Sequence, residues 1–137
     1  MSSFPHIVTV LNKVSTGDEV IYLPTILDGV LYVTSRSSSK SSTGSENKDD
    51  IKCTIPFRVN VVESKTFTDR KTFDDLPEEE KPKYWTLTKD DIIVKDIIVD
   101  PQISLRDVNR MYPERMVVSY VNTYDFGALR HWMVGGA

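Results

Sequence analysis

Residues 35–50 read SRSSSKSSTGSENKDD, a stretch with no apolar side chain set between two strand-like runs. Seven of the eleven residues from Ser35 to Ser45 are serine. Such a segment has nothing to bury, so it must project from the body as a long mobile loop. Compact domains carry unstructured loops of this length when the loop is a lid, a binding arm or a segment that orders on a partner. The residues available for that contact are Ser35, Arg36, Ser37, Ser38, Ser39, Lys40, Ser41, Ser42, Thr43, Gly44, Glu46 and Lys48. The loop points to function by contact rather than by chemistry.

What remains is enough for one domain, residues 1–137, with a single core. A net charge of −3 gives no bulk attraction to nucleic acid or to an anionic membrane. No apolar run approaches the roughly 20 residues of a spanning helix. The start MSSFPHIVTV lacks the basic and apolar regions of a signal peptide. The lone cysteine, Cys53, lies in the apolar run KCTIPF and is expected to be a buried, inert thiol.

Most of the chain reads as strands. Ile7–Leu11 and Glu19–Leu23 flank a Ser-Thr-Gly-Asp turn and form a hairpin. Pro24 is expected to interrupt, and Asp28-Gly29 to make a turn or bulge inside Thr25–Thr34. After the serine loop, Ile51–Glu63 alternates, with Phe57, Val59 and Val61 on one face. The runs before and after the loop thus make a long hairpin with the loop as its tip. Residues 64–84 form a charged irregular insert, in which Asp75-Leu76-Pro77-Glu78 resembles a helix start that Pro82 stops. Ile92–Val99 is the strongest strand signal. Ser104–Tyr112 is the one convincing α-helix, capped by Ser104, with Leu105, Val108 and Met111 or Tyr112 on one face. Met116–Asn122 and His131–Val134 form a last hairpin, and Gly135 and Gly136 merely close the chain. The expected fold is mainly β: a small antiparallel barrel of six to seven strands, one short α-helix and the long loop.

Catalysis finds little footing. His6 and His131 are the only histidines, without His-x-x-x-His or Cys-x-x-Cys spacing. The serines stand in a tract that supplies neither base nor oxyanion hole. No glycine pattern suits a phosphate. No catalytic residue, cofactor or metal is expected. A barrel whose aromatics act as stacking platforms for an oligonucleotide is a competing idea. Its basic residues are scattered, however, and Tyr22, Tyr32, Phe57, Tyr84, Trp85, Tyr120, Tyr124 and Trp132 read more simply as core.

The run LPEEEKPKYWTLTKDDIIVKDIIVD resembles small proteins from head-to-tail gene clusters of tailed phages of low-GC Gram-positive hosts. The match falls on Leu76, Pro77, Glu79, Glu80, Lys81, Tyr84, Trp85, Thr86 and Leu87, then on Asp91–Lys95. Two further runs are similar: Tyr22–Val30, and Val118–Asn122 with His131-Trp132. Family members often have Gly where Asp96 stands, so the bulge after Lys95 is expected to differ.

The resemblance implies a neck component of the virion, made in the host cytoplasm. By strand count and long loop it is most similar to head-closure, or stopper, proteins. These are small β-barrels that form a ring, here six or twelve copies, between portal or adaptor and the tail terminator or tail tube. The loop from Ser35 to Asp50 would face the channel or a neighbour, and packaged double-stranded DNA would pass without sequence specificity. Asp74, Asp75, Glu78 and Glu79 would meet Arg106, Arg110 and Arg115 across subunits. An adaptor-like, tail-completion or minor capsid role stays open beside it, as does the oligonucleotide-binding barrel. No membrane contact is implied.

Overall fold

The computed structural model describes residues 4–36 and 49–137. Strands β1 (His6–Thr16) and β2 (Glu19–Arg36) make the first hairpin around Gly17, which takes φ +60° at the turn. β3 (Asp49–Pro56), β7 (Ile92–Val94), β8 (Arg115–Tyr124) and β9 (His131–Gly136) complete the main sheet, in the order β1-β7-β8-β9-β3-β2. Because β2 pairs back onto β1, these six strands close into an antiparallel barrel. A two-residue strand, β4 (Asn60–Val61), is added beside β2. The expected antiparallel barrel is therefore the observed fold.

Two strands turn the corners. In β2 the register slips between His6 and Ile7 so that Gly29, at φ +105°, is left over as a bulge. Up to Val30, opposite His6, β2 pairs with β1; from Leu31↔Thr54 to Arg36↔Asp49 it pairs with β3. This is the bulge expected at Asp28-Gly29, since a positive φ suits glycine and a bulge bends the strand. In β8 the corresponding slip lies between Val118 and Tyr120. One curved sheet, β2-β3-β9-β8, thus shares its outer strands with a second, β2-β1-β7-β8.

The interior holds Val8, Val10, Leu27, Cys53, Ile55, Ile93, Met116, Val118 and Val134, all buried. The β1–β2–β7 sector is covered on its outer side as well. Leu11, Tyr22, Ile92 and Val94 face outward there under Ile98, Ile103 and Val108. Both faces of that sector are dry, which is why its sequence is apolar continuously rather than alternately.

Several expectations are corrected. Pro24 does not interrupt β2. It pairs with Leu11, and its nitrogen faces away from β1, on the same side as Tyr22, whose backbone bonds to Ile103. A strand edge that needs no donor tolerates proline, and the Pro24 carbonyl accepts from Lys65 Nζ. Ile92–Val99 is a strand only to Val94. Beyond it the Thr9 hydroxyl donates to Asp96 O (2.7 Å) and accepts from Ile98 N (3.1 Å), replacing the ladder. Ile98 is buried while Val99 is 80% exposed. Ile51–Glu63 breaks after Pro56, where Val59 N bonds back to Pro56 O, yet Phe57, Val59 and Val61 still pack on the core.

Among the described residues there are two short α-helices rather than one. α1 (Arg70–Asp75) is capped by Asp69, which accepts from Thr72 N, so the helix ends where Asp75 was expected to begin one. Pro82 lies within a 3-10 turn, Lys81–Lys83, instead of stopping a helix. α2 (Leu105–Met111) carries the expected Ser104 cap, with Asp107 N donating to Ser104 Oγ at 3.2 Å. Val108 is its buried residue and Tyr112 packs beside it, whereas Leu105 and Met111 are exposed. Gly135 and Gly136 do not merely close the chain. Both are in β9, and a Cβ on Gly136 would stand 2.0 Å from Val117 O.

Candidate functional site

The β2–β3 hairpin leaves the barrel as its strands lengthen. Tyr32 and Ile51 face the core, while Val33, Thr34 and Lys52 are exposed. The backbone of Ser35 and Arg36 ends β2, and Arg36 is paired with Asp49. The remaining loop residues, Ser37, Ser38, Ser39, Lys40, Ser41, Ser42, Thr43, Gly44, Glu46 and Lys48, lie outside the described residues. Positions 37–48 are therefore launched from one paired point at the end of a two-stranded arm.

The charged residues expected to face a neighbour sit on separate elements, the acidic ones on and just after α1, the basic ones on α2 and the start of β8. Asp74 and Asp75 end α1, and Glu78 and Glu79 follow it; all four are exposed. Asp74 is held by Arg70 of its own helix, Nε to Oδ1 at 2.9 Å. Arg106 and Arg110 project from α2, and Arg110 faces Asp107 at 3.7 Å. Arg115 opens β8 and donates to Tyr112 O at 2.8 Å. No ion pair among the described residues joins the acidic set to the basic one.

Trp85 and Trp132 are inside. Their rings meet edge to face with centroids 5.7 Å apart, and Phe67 contacts both, at 4.9 Å and 4.4 Å. Phe57 closes the cluster on Trp132 at 4.4 Å. Aromatic rings so arranged serve as core and offer no face to a base. Tyr120, by contrast, is exposed. His6 takes the Tyr32 N–H on Nδ1 (3.0 Å), and His131 stacks on Tyr124 at 4.9 Å, on a strand that does not neighbour β1. Cys53 is fully buried, and burial pushes its thiol up to about 12. Among the described residues no group of three His, Cys, Asp or Glu side chains could hold a metal ion.

The insert between β4 and β7 is a plug more than a loop. β5 (Thr66–Phe67) pairs in parallel with β6 (Tyr84–Trp85) and carries Trp85 and Phe67 onto the core. Phe73 of α1 packs under Val14 and Leu23. Lys81 is buried, and its ammonium bonds Leu76 O (2.6 Å), satisfying a carbonyl at the end of α1.

Behind the plug lies a buried polar network that sequence reasoning missed. Asn12 donates to Asp91 Oδ2 (3.0 Å) and Thr86 O (2.6 Å), and accepts from Thr86 N (3.2 Å). Asp91, fully buried, also accepts from Lys13 N (3.0 Å), Thr88 N (3.2 Å) and Arg70 Nη1 (3.4 Å). Burial pushes the Asp91 carboxyl up to about 6, against the opposing pull of these donors. A signal was present. Asn12 shares the inward parity of Val8, Val10 and Val14, so a polar side chain there required a partner. The resemblance residues Leu76, Lys81, Trp85, Thr86, Leu87 and Asp91 all serve this plug, its helix end or its network.

No curated protein and no solved structure matches the chain. One family model does, a family of unknown function (DUF6751), over residues 5–137. That match takes in both corner strands, the plug and the β2–β3 arm, and the chain belongs to this family.

Proposed function

We propose that this protein is a structural component of a tailed-phage virion neck, a head-closure subunit that forms a ring between portal or adaptor and tail. The observation that carries the reading is a small closed barrel with one paired arm, whose ends at Arg36 and Asp49 launch a serine-rich polar segment. A polar sequence with nothing to bury suits contact with a partner rather than a place in a core. Set around an axis, twelve such residues per copy (37–48) would narrow a channel. The neck proteins that serve as adaptors are mainly helical, and two helices of six and seven residues do not suit that role.

In this reading Asp75, Glu78, Glu79 and Arg106 are the charges free to meet a neighbouring copy, because each is exposed. Asp74, Arg110 and Arg115 already have partners within the chain and contribute less. Packaged DNA would pass a mildly acidic protein without retention, since phosphate binding needs clustered Lys and Arg. The oligonucleotide-binding alternative loses support from the burial of Trp85 and Trp132.

Cryo-electron microscopy of the particle that contains this protein tests the reading. Ring density between portal and tail tube, with 37–48 directed at the axis or at a neighbour, is the expected result. Density on the capsid shell, or no density in the virion, would overturn it.

A further inference from the structure

Sheet edges are the least protected parts of a β protein, and evolution usually shortens, charges or covers them. β4, β5 and β6 obey that rule, with two residues each. β8 does not. On the side away from β9 it pairs with β7 only as far as Val117, and Val118 then bonds Asp91 and Asp90. Beyond this point, among the described residues, no strand pairs with that side of Ser119–Tyr124. The sequence there is SYVNTY, without Lys, Pro or any charge, and rich in strand formers.

The direction of its backbone groups follows from alternation. Phe57 N bonds Arg130 O, so alternate β9 residues from Arg130 turn towards β3, and His131, Met133 and Gly135 turn towards β8. Their partners Tyr124, Asn122 and Tyr120 therefore use their groups inside the fold. Val121 and Thr123 present theirs outward.

The opposite edge of the same sheet is β2. After Tyr32, whose N–H is taken by His6, no strand pairs with the outer side of Val33–Arg36 among the described residues. The four strands β2-β3-β9-β8 alternate in direction, so β2 and β8 run opposite ways. A second copy placed in the same orientation would set its β2 antiparallel to the first copy's β8, continuing the alternation. One contact then satisfies both edges and repeats from copy to copy, a heterologous interface that makes a ring when its rotation closes.

We propose that the outer edge of β8, Ser119–Tyr124, is a self-association site that takes the distal part of β2, Val33–Arg36, from a second copy of this chain. The inference deepens the ring reading above and rests on it only for closure into a ring.

Thr123→Pro tests it, because proline removes an outward N–H that the fold does not use and Thr123 is exposed. In size-exclusion chromatography with light scattering, the wild-type full chain is expected to form a multi-subunit species. The T123P chain is expected to run as a monomer with unchanged far-UV circular dichroism. A monomeric wild type, or a T123P chain that assembles like wild type, would overturn the proposal. If T123P fails to fold, Thr123→Lys with the same measurement replaces it. A short bismaleimide added to mixed Thr123→Cys and Thr34→Cys chains separates the geometries. A 123–34 adduct supports head-to-tail pairing, and a 123–123 adduct alone overturns it. Neck density built from T123P chains would overturn this edge and leave the neck reading standing.

Discussion

Asn12 Nδ2 lies 3.0 Å from Asp91 Oδ2, both side chains fully buried and 79 residues apart in sequence. This bond ties the first strand to the end of the plug, and the amide completes its pairing on the backbone of Thr86. Asn12→Ala would strand the backbone carbonyl and N–H of Thr86, while Asp91 Oδ2 keeps the Thr88 N–H. Unsatisfied buried groups cost about 1–3 kcal/mol each, so a loss of roughly 3 kcal/mol or more is expected. Urea unfolding followed by tryptophan fluorescence measures it, and a loss below about 1 kcal/mol would show the network to be dispensable.

Asp91 also makes stability depend on pH. Its carboxyl is raised from the ordinary 3.8 to about 6, first by burial, so between those values the folded chain holds a proton that the unfolded chain has released. The stabilisation from that proton is complete below 3.8 and is lost as pH rises through about 6. The stability of wild type relative to Asp91→Asn should therefore decline from pH 4 to pH 7. Denaturation midpoints of both proteins at the two pH values test this, and a constant difference would refute it.

The two terminal glycines should differ in tolerance. A Cβ at Gly135 would meet the outer ring atoms of Tyr120, 2.2 Å away, and that exposed ring can swing aside. At Gly136 the obstacle is the Val117 carbonyl, which can move only with its strand. Gly135→Ala is expected to cost less than about 1 kcal/mol, and Gly136→Ala about 1–3 kcal/mol as overpacking does. Thermal melts of the two variants would rank them, and the reverse order would contradict the packing described.

Trp85 and Trp132 should report the interior. Both are nearly or fully shielded, so their emission should be blue-shifted and unchanged on adding single-stranded oligonucleotide. Quenching by oligonucleotide at constant fold would restore the nucleic-acid barrel. Trp85→Ala should cost about 3–5 kcal/mol as other large aromatic truncations do, read by chemical denaturation with Trp132 as the remaining probe.

Legibility followed the range of the interactions. The β1–β2 hairpin, the Gly29 bulge, the β2–β3 arm and the Ser104 cap were visible because each is decided by residues close in sequence or by a simple alternation. Pro24 reads locally as an interruption because its tolerance depends on which side of β2 needs no ladder donor. Ile92–Val99 reads as one strand but stops at Val94 because Thr9, 87 residues from Asp96, takes over the ladder. Trp85, Trp132 and Phe57 read as core and pack there, but Tyr120, read the same way, is exposed. The Asp91 network escapes local reading although the inward parity of Asn12 announces a buried polar group.

By itself the sequence determined a mainly β chain, its hairpins and a polar segment that cannot contribute to a core, since propensity, alternation and burial capacity are local properties. Only the tertiary structure decided that the strands close, that a charged insert delivers Trp85 to the interior, and that among the described residues no strand pairs with the outer side of Ser119–Tyr124. Closure and edges depend on which strands find each other across the whole chain. That choice is made by the summed fit of distant residues, such as Asn12 with Asp91 and Val117 with Gly136.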